Sequence, residues 1–151
     1  MSFFDSLNTS ATGLTAQSLR MDIISQNMAN IDTTRTAEGG SYKRKTVLFK
    51  EISNDKNPFR SMFNTALNNS ANNSSVSGVK VDRIAVDNTE GPKEYNPSHP
   101  DADENGYVQK PNVNVVEEMV NMISANRAYE ANITAVNITK GMINKTLEIG
   151  R

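Results

Sequence analysis

The sequence predicts a mainly α fold, with long N- and C-terminal helices paired as a coiled coil and a small β-rich, loop-rich central region. Residues from about Phe3 to Asn30 carry an apolar stripe at helical spacing, and so do residues from about Val115 to Leu147. The stretch between them is rich in Asn, Ser, Asp, Pro and Gly. Apolar residues make up 36% of the 151-residue chain, below the roughly 45–50% usual for globular chains even though that range counts Gly. The core is therefore thin, and two amphipathic ends without an apolar middle must pair with each other and then with neighbours. This predicts a subunit of an assembly. The predicted units are residues 1–34 together with 112–151, a discontinuous helical unit, and residues 35–111, a central β/loop region with a flexible segment at 64–77.

In the first helix Leu7, Leu14, Met21 and Met28 are spaced by seven, with Phe3, Ile24 and Ile31 at the companion position of the heptad. Ser10 and Gln17 also fall at that position, so the seam is polar in its first half. A seven-residue repeat holds these groups on one face and favours a coiled-coil partner. Ser2 with Asp5 resembles a capping box with Asp in place of Glu. Gly13 inside the helix costs about 1 kcal/mol relative to Ala. Asn30 suits the stop because it tolerates the left-handed conformation.

The C-terminal seam is clearer. Val115, Met122, Tyr129, Val136 and Ile143 repeat every seven residues, and Met119, Ile133 and Leu147 supply the second position. Asn126 and Lys140 interrupt that second position. Asn126 either fixes register at a cost in stability or faces solvent or a neighbouring chain. Pro111 precedes the helix, Asn114 and Glu117 fit the N-cap and N3 positions, and Gly150 suits the stop. Glu117 and Glu118 complement the positive end of the macrodipole and Lys145 the negative end. Both helices also carry apolar groups off the seam, including Phe4, Ala11 and Ile23 on the first and Val116, Val120 and Ile123 on the second. One intramolecular contact does not cover all of these. The remaining surface should meet other subunits, and head-to-tail contacts would build a ring or filament.

In the middle, Tyr42–Phe49 and Val79–Val86 read as strands. The basic run Lys43, Arg44, Lys45 reads as part of a solvated strand. Residues 64–77 are nearly all Asn, Ser, Ala and Thr, too polar to bury the surface that order requires.

Several chemistries are disfavoured. The chain has no cysteine, which removes disulfides, thiol catalysis and zinc–thiolate sites. Net charge is −1 with both signs interspersed, which gives no reason to expect nucleic acid or an anionic membrane as partner. The N-terminus lacks the basic region and continuous apolar run of a cleaved signal, and no stretch approaches the ~20 apolar residues of a membrane span. Asp101-Ala-Asp103-Glu-Asn105-Gly106 matches the first half of a calcium loop. The twelfth position, normally a bidentate Glu, is Asn112 after Pro111. An Asp/Asn/Gly turn is the preferred reading. His99 is the only histidine and makes neither a triad nor a metal cluster. No catalytic residue, cofactor or metal is expected, and the chain is not predicted to be an enzyme.

The segment from Ser25 to Thr34, Ser-Gln-Asn-Met-Ala-Asn-Ile-Asp-Thr-Thr, resembles the N-terminal motif of the flagellar axial family of rod, hook and hook-associated proteins. The segments Tyr95–Val108 and Pro111–Val120 are more specific and resemble the rod members of that family; Ala125–Asn132 is similar to the family's C-terminal helix. Together these cover about half the chain. The matching motif positions are Asn27, Ala29, Asn30, Thr33, Asn105, Gly106, Tyr107, Pro111 and Asn112.

The resemblance implies a non-enzymatic structural subunit of the proximal rod of the bacterial flagellar basal body. Its implied partners are copies of itself, other proximal and distal rod subunits, proteins at the junction with the rod base and MS ring, and the flagellar type III export apparatus during transit. It implies a place within the periplasm, reached without a cleaved signal. The terminal helices would form the inner coiled coil and the rod would carry torque. Competing readings are another axial family member, a soluble coiled-coil adaptor, and a calcium-responsive binding module.

Overall fold

The computed structural model describes residues 3–37, 39–52 and 78–150. The expected flexible segment 64–77 and the Ser2 cap lie outside them. The elements are α1 (Phe3–Ala29), β1 (Lys45–Glu51), β2 (Val79–Val86), β3 (Lys93–Tyr95), β4 (Tyr107–Gln109) and α2 (Val115–Ile149). The chain is mainly α with short antiparallel strands at its centre. At about 1.5 Å per residue α1 spans ~40 Å and α2 ~52 Å.

The two helices pack antiparallel. Asn27 near the end of α1 meets Glu118 near the start of α2, and farther along Gly13 lies under Asn132, where an added methyl would sit 3.0 Å from the amide oxygen. The deepest positions on α1 are Ala16, Ile23, Ile24 and Asn27. Leu7, Leu14, Met21 and Met28 flank them, half-buried.

On α2 the deepest positions are Glu118, Ala125 and Thr139. With Asn132 they form a heptad that is largely small or polar. Small groups let two helix backbones approach closely, which explains why this set, rather than a set of larger side chains, sits at the contact. Met122, Tyr129, Val136 and Ile143 flank it, half-buried, whereas Val115, Met119, Ile133 and Leu147 are exposed in the single chain.

The α2 boundaries follow local chemistry. The Asn114 side chain accepts N–H bonds from Val116 and Glu117, satisfying two otherwise orphaned donors. At the other end Gly150 caps back to the Thr146 carbonyl at φ −82°, so the helix stops without a left-handed residue. Lys145 pairs with Glu148 on the surface.

The β1–β2 hairpin lies along a second face of α1. Lys45 contacts Asn27 at one end, and the Val79 N–H donates to the Thr12 hydroxyl at the other. The second strand coincides with its predicted span. The first starts three residues later than expected, at Lys45, because Tyr42 and Arg44 spend their backbone N–H groups on the Thr33 carbonyl and the Asn112 side chain instead of a ladder. The β3–β4 hairpin was not anticipated. Three-residue strands leave no periodicity to read.

The packing is asymmetric. Helix α1 is flanked by α2 and by the β1–β2 hairpin, whereas α2 packs on α1 alone among the described elements.

Candidate functional site

The most concentrated set of specific interactions is a polar junction where α1 ends, β1 begins and α2 begins. Helical spacing places Asn27 on the same face of α1 as Ile23 and Ile24, and it is 1% exposed. Its Oδ1 accepts from the Tyr42 hydroxyl at 2.9 Å and the Lys45 N–H at 3.0 Å. Its Nδ2 donates to the Lys45 carbonyl at 2.8 Å and to Glu118 Oε2 at 3.0 Å. One amide thus pairs with both backbone groups of Lys45, as a neighbouring strand would, and its donor and acceptor capacity is used in full.

Glu118 is also 1% exposed. Its Oε1 accepts from Arg44 Nε at 2.9 Å and Nη2 at 2.6 Å, and Nη2 also reaches Glu117 Oε1 at 3.0 Å. An isolated buried carboxylate would be strongly disfavoured; charge-assisted bonds from a guanidinium offset that cost. Burial acts to lower the Arg44 pKa, but the hydrogen bond and charge of Glu118, with Glu117 and Asp87, outweigh it and hold the group above its ordinary value. Burial first, then the Glu118 charge, raises the Tyr42 phenol. Lys45 Nζ stands 5.7 Å from the Tyr42 ring centre, within cation–π range.

Asn112 closes the junction. Its Oδ1 accepts from the Arg44 N–H at 2.8 Å and its Nδ2 donates to the Asp87 carbonyl at 3.3 Å, while the Asp87 N–H returns to the Arg44 carbonyl. Four chain segments are thereby held in fixed relation. The side-chain polar atoms of Asn27, Tyr42, Glu118 and Asn112 are all engaged, so the arrangement serves to position helices against a hairpin.

The remaining motif residues build turns. Asn30 bonds back to the Gln26 carbonyl and accepts from the Thr33 hydroxyl, and the Thr33 carbonyl receives Tyr42 N–H. Ala29 is exposed. Gly106, at φ +80°, turns the chain into β4, and a methyl there would meet the Tyr95 ring at 3.0 Å. Tyr107 packs edge-to-face on Tyr95. The Asn105 and Tyr107 N–H groups both donate to Asp103 Oδ1. Asp101 is taken by the Thr34 hydroxyl and lies near Arg35. The two carboxylates of the calcium-like pattern are thus used in local structure. Pro111 is buried, with Gly91 so close that a side chain there would strike the Lys110 carbonyl. Beside it, Lys110 pairs with Glu94, which lowers the Glu94 pKa and raises that of Lys110.

Sequence reasoning missed Tyr42, Arg44 and Glu118 as a unit. Arg44 was read within a solvated basic run, and Glu118 as a macrodipole partner. The available signal was Glu118 itself, which shares a heptad position with Ala125 and Thr139.

Comparison with known proteins agrees with the motif segments and extends past them. Residues 7–35 match the family described as flagella basal body rod protein. Residues 104–149 match that described as flagellar basal body rod FlgEFG protein C-terminal. The flagellar basal-body rod protein FlgC of Bacillus subtilis (strain 168) is 46% identical over 155 aligned residues, covering 100% of both chains. That of Borreliella burgdorferi is 45% identical, covering 99% of this chain and 98% of its own. That of Escherichia coli O6:H1 is 34% identical over 100% of both. Similarity therefore spans the whole chain rather than half of it, and the chain belongs to the FlgC family of flagellar basal-body rod proteins.

Proposed function

We propose that this chain is a subunit of the proximal rod that polymerises with copies of itself and with other rod proteins, and carries torque across the periplasm. Its membership makes it a structural component of the flagellar basal-body rod and not an enzyme. The observation that carries the finer reading is the uncovered side of α2. Val116, Met119, Val120 and Ile123, at i, i+3, i+4 and i+7, are all at least half exposed and lie opposite the face that meets α1. A helix apolar on both sides is one that ends up buried, and a single chain supplies only α1.

In this reading residues 1–34 and 112–151 form the inner coiled-coil unit and residues 35–111 the outer part. The half-buried seam of Leu7, Leu14, Met21, Met28, Met122, Tyr129, Val136 and Ile143 holds the pair together, with Ile24 beneath it. Val115, Met119, Ile133 and Leu147 turn to neighbouring subunits. Neighbours would include proximal and distal rod proteins and those at the MS-ring junction. Transit through the flagellar type III export apparatus, without a cleaved signal, fits long helices that gain their cover only on arrival. No described helix is long and apolar enough to cross a membrane.

The test is Ile123→Asp and Ile133→Asp, each expressed in cells lacking the native copy. The expected outcome is a purified protein of unchanged helicity, absent from isolated basal bodies, in cells that do not swim. Normal incorporation and swimming would overturn the assignment of these faces to subunit contacts.

A further inference from the structure

The charged residues of the central region fall into blocks of opposite sign. Residues 43–51 and 79–86 carry six cations against two carboxylates, whereas residues 87–106 carry six carboxylates against one lysine. Within the β1–β2 hairpin the register places Lys50 directly opposite Lys80, and Leu48 opposite Arg83. Val47 is buried against α1 while Leu48, Lys50, Lys80 and Arg83 are exposed, so alternation assigns these four to the outer face.

Like charges directly opposite on a sheet are destabilising. None of these three cations has an ion pair among the described residues, including with Asp82 at the bulge beside them. Asp87, beyond the other end of the hairpin, is about 17 Å or more from the Lys50–Lys80 rung at ~3.3 Å per residue, which exceeds the Debye length of about 8 Å. Among the described residues no carboxylate pairs with the Lys50–Lys80 rung, so this like-charge contact adds nothing to the stability of the hairpin. Such local conflicts mark functional surfaces.

Within the acidic segment most carboxylates are engaged locally, but Glu90 and Glu104 have no hydrogen bond or ion pair among the described residues and are exposed. We propose that the cationic outer face of the β1–β2 hairpin docks the acidic segment around the β3–β4 hairpin, through Glu104 in its turn and Glu90 ahead of β3, of a second copy of this chain. The two patches are different surfaces of one molecule. The contact is therefore heterologous and propagates from copy to copy instead of closing a two-fold dimer. It deepens the rod-subunit reading, on which it rests, by naming how the outer parts of adjacent copies meet.

The test uses full-length chains in cells lacking the native copy, reading the amount in isolated basal bodies and the swimming halo. Lys80→Glu with Arg83→Glu should cut incorporation on the order of tenfold, because carboxylates then face carboxylates across the contact. Adding Glu90→Lys and Glu104→Lys to the same chain should restore it. A second variant, Lys50→Gln with Lys80→Gln, should melt at a higher temperature than the parent as a free chain and yet incorporate less. This split keeps the result readable if charge reversal disturbs folding. Normal incorporation of the reversed chain overturns the proposal. Loss that the compensating reversal does not restore also overturns it, and points to another anionic partner. If cells lacking the chain altogether still build rods and swim, the rod reading fails; if they do not, while the reversed chain swims, only this contact fails.

Discussion

The two ends of the helix pair are built on different terms. At the junction end, Asn27 and Glu118 are each 1% exposed and saturated with hydrogen bonds, with Ile23 and Ile24 packed beside them. At the far end, Phe4 is 75% exposed, Leu147 67% and Ile149 85%. The first end is closed on its α1-facing side by the chain's own central region, while Val116 and Val120 on the outer side of α2 stay exposed. The second has apolar groups waiting for cover. The hydrogen-bonded junction fixes how the helices meet the β1–β2 hairpin, whereas the far end is held by helix packing alone among the described elements.

The largest effect should come from breaking the junction. Glu118→Ala leaves Arg44 and the Asn27 amide short of partners. Removing one member of a buried pair costs about 3–5 kcal/mol, and because Arg44 keeps some water access and Glu117, about 3 kcal/mol is expected. Urea unfolding of the free chain followed by far-ultraviolet circular dichroism measures it; a loss under ~1 kcal/mol, as for an ordinary exposed pair, would remove the junction's special standing.

Ala125 is 0% exposed at the close approach of the helices. Ala125→Leu should cost about 2 kcal/mol by overpacking in the same assay, and a neutral result would mean that the helices are more loosely joined than this contact indicates.

Farther along, Gln17 Oε1 is enclosed with no hydrogen-bond partner among the described residues. Gln17→Leu should stabilise the free chain by about 1 kcal/mol, since an unmet buried acceptor costs ~1–3 kcal/mol. Destabilisation instead would show that this oxygen finds a partner in solution.

The smallest effect on the free chain belongs to the far end. Leu147→Ser with Ile149→Ser should change its stability by no more than about 0.5 kcal/mol while reducing recovery in basal bodies. If the melting temperature fell sharply and incorporation did not change, the contrast between the ends would be reversed.

Much of the architecture was legible in the sequence because helices announce themselves locally. The span of α1, the Asn114 cap, the start of α2 and the β2 strand follow from periodicity and turn chemistry within a few residues. The heptad count on α2 identified Met122, Tyr129, Val136 and Ile143, which flank the contact. It did not identify the adjacent position, where Glu118, Ala125, Asn132 and Thr139 meet α1. Apolar periodicity weights large side chains, whereas close helix approach selects small ones, and a buried carboxylate is indistinguishable in sequence from a solvated one.

The sequence by itself determined two long amphipathic helices, a polar centre, and motif segments that place the chain in its family. These depend on side chains a few residues apart. Only the tertiary structure decided that Arg44 meets Glu118, 74 positions away, that one amide of Asn27 completes the edge of β1, and that Lys50 stands opposite Lys80. Those outcomes depend on which distant segments share space, and a burial pattern along the chain carries no record of the partner on the other side.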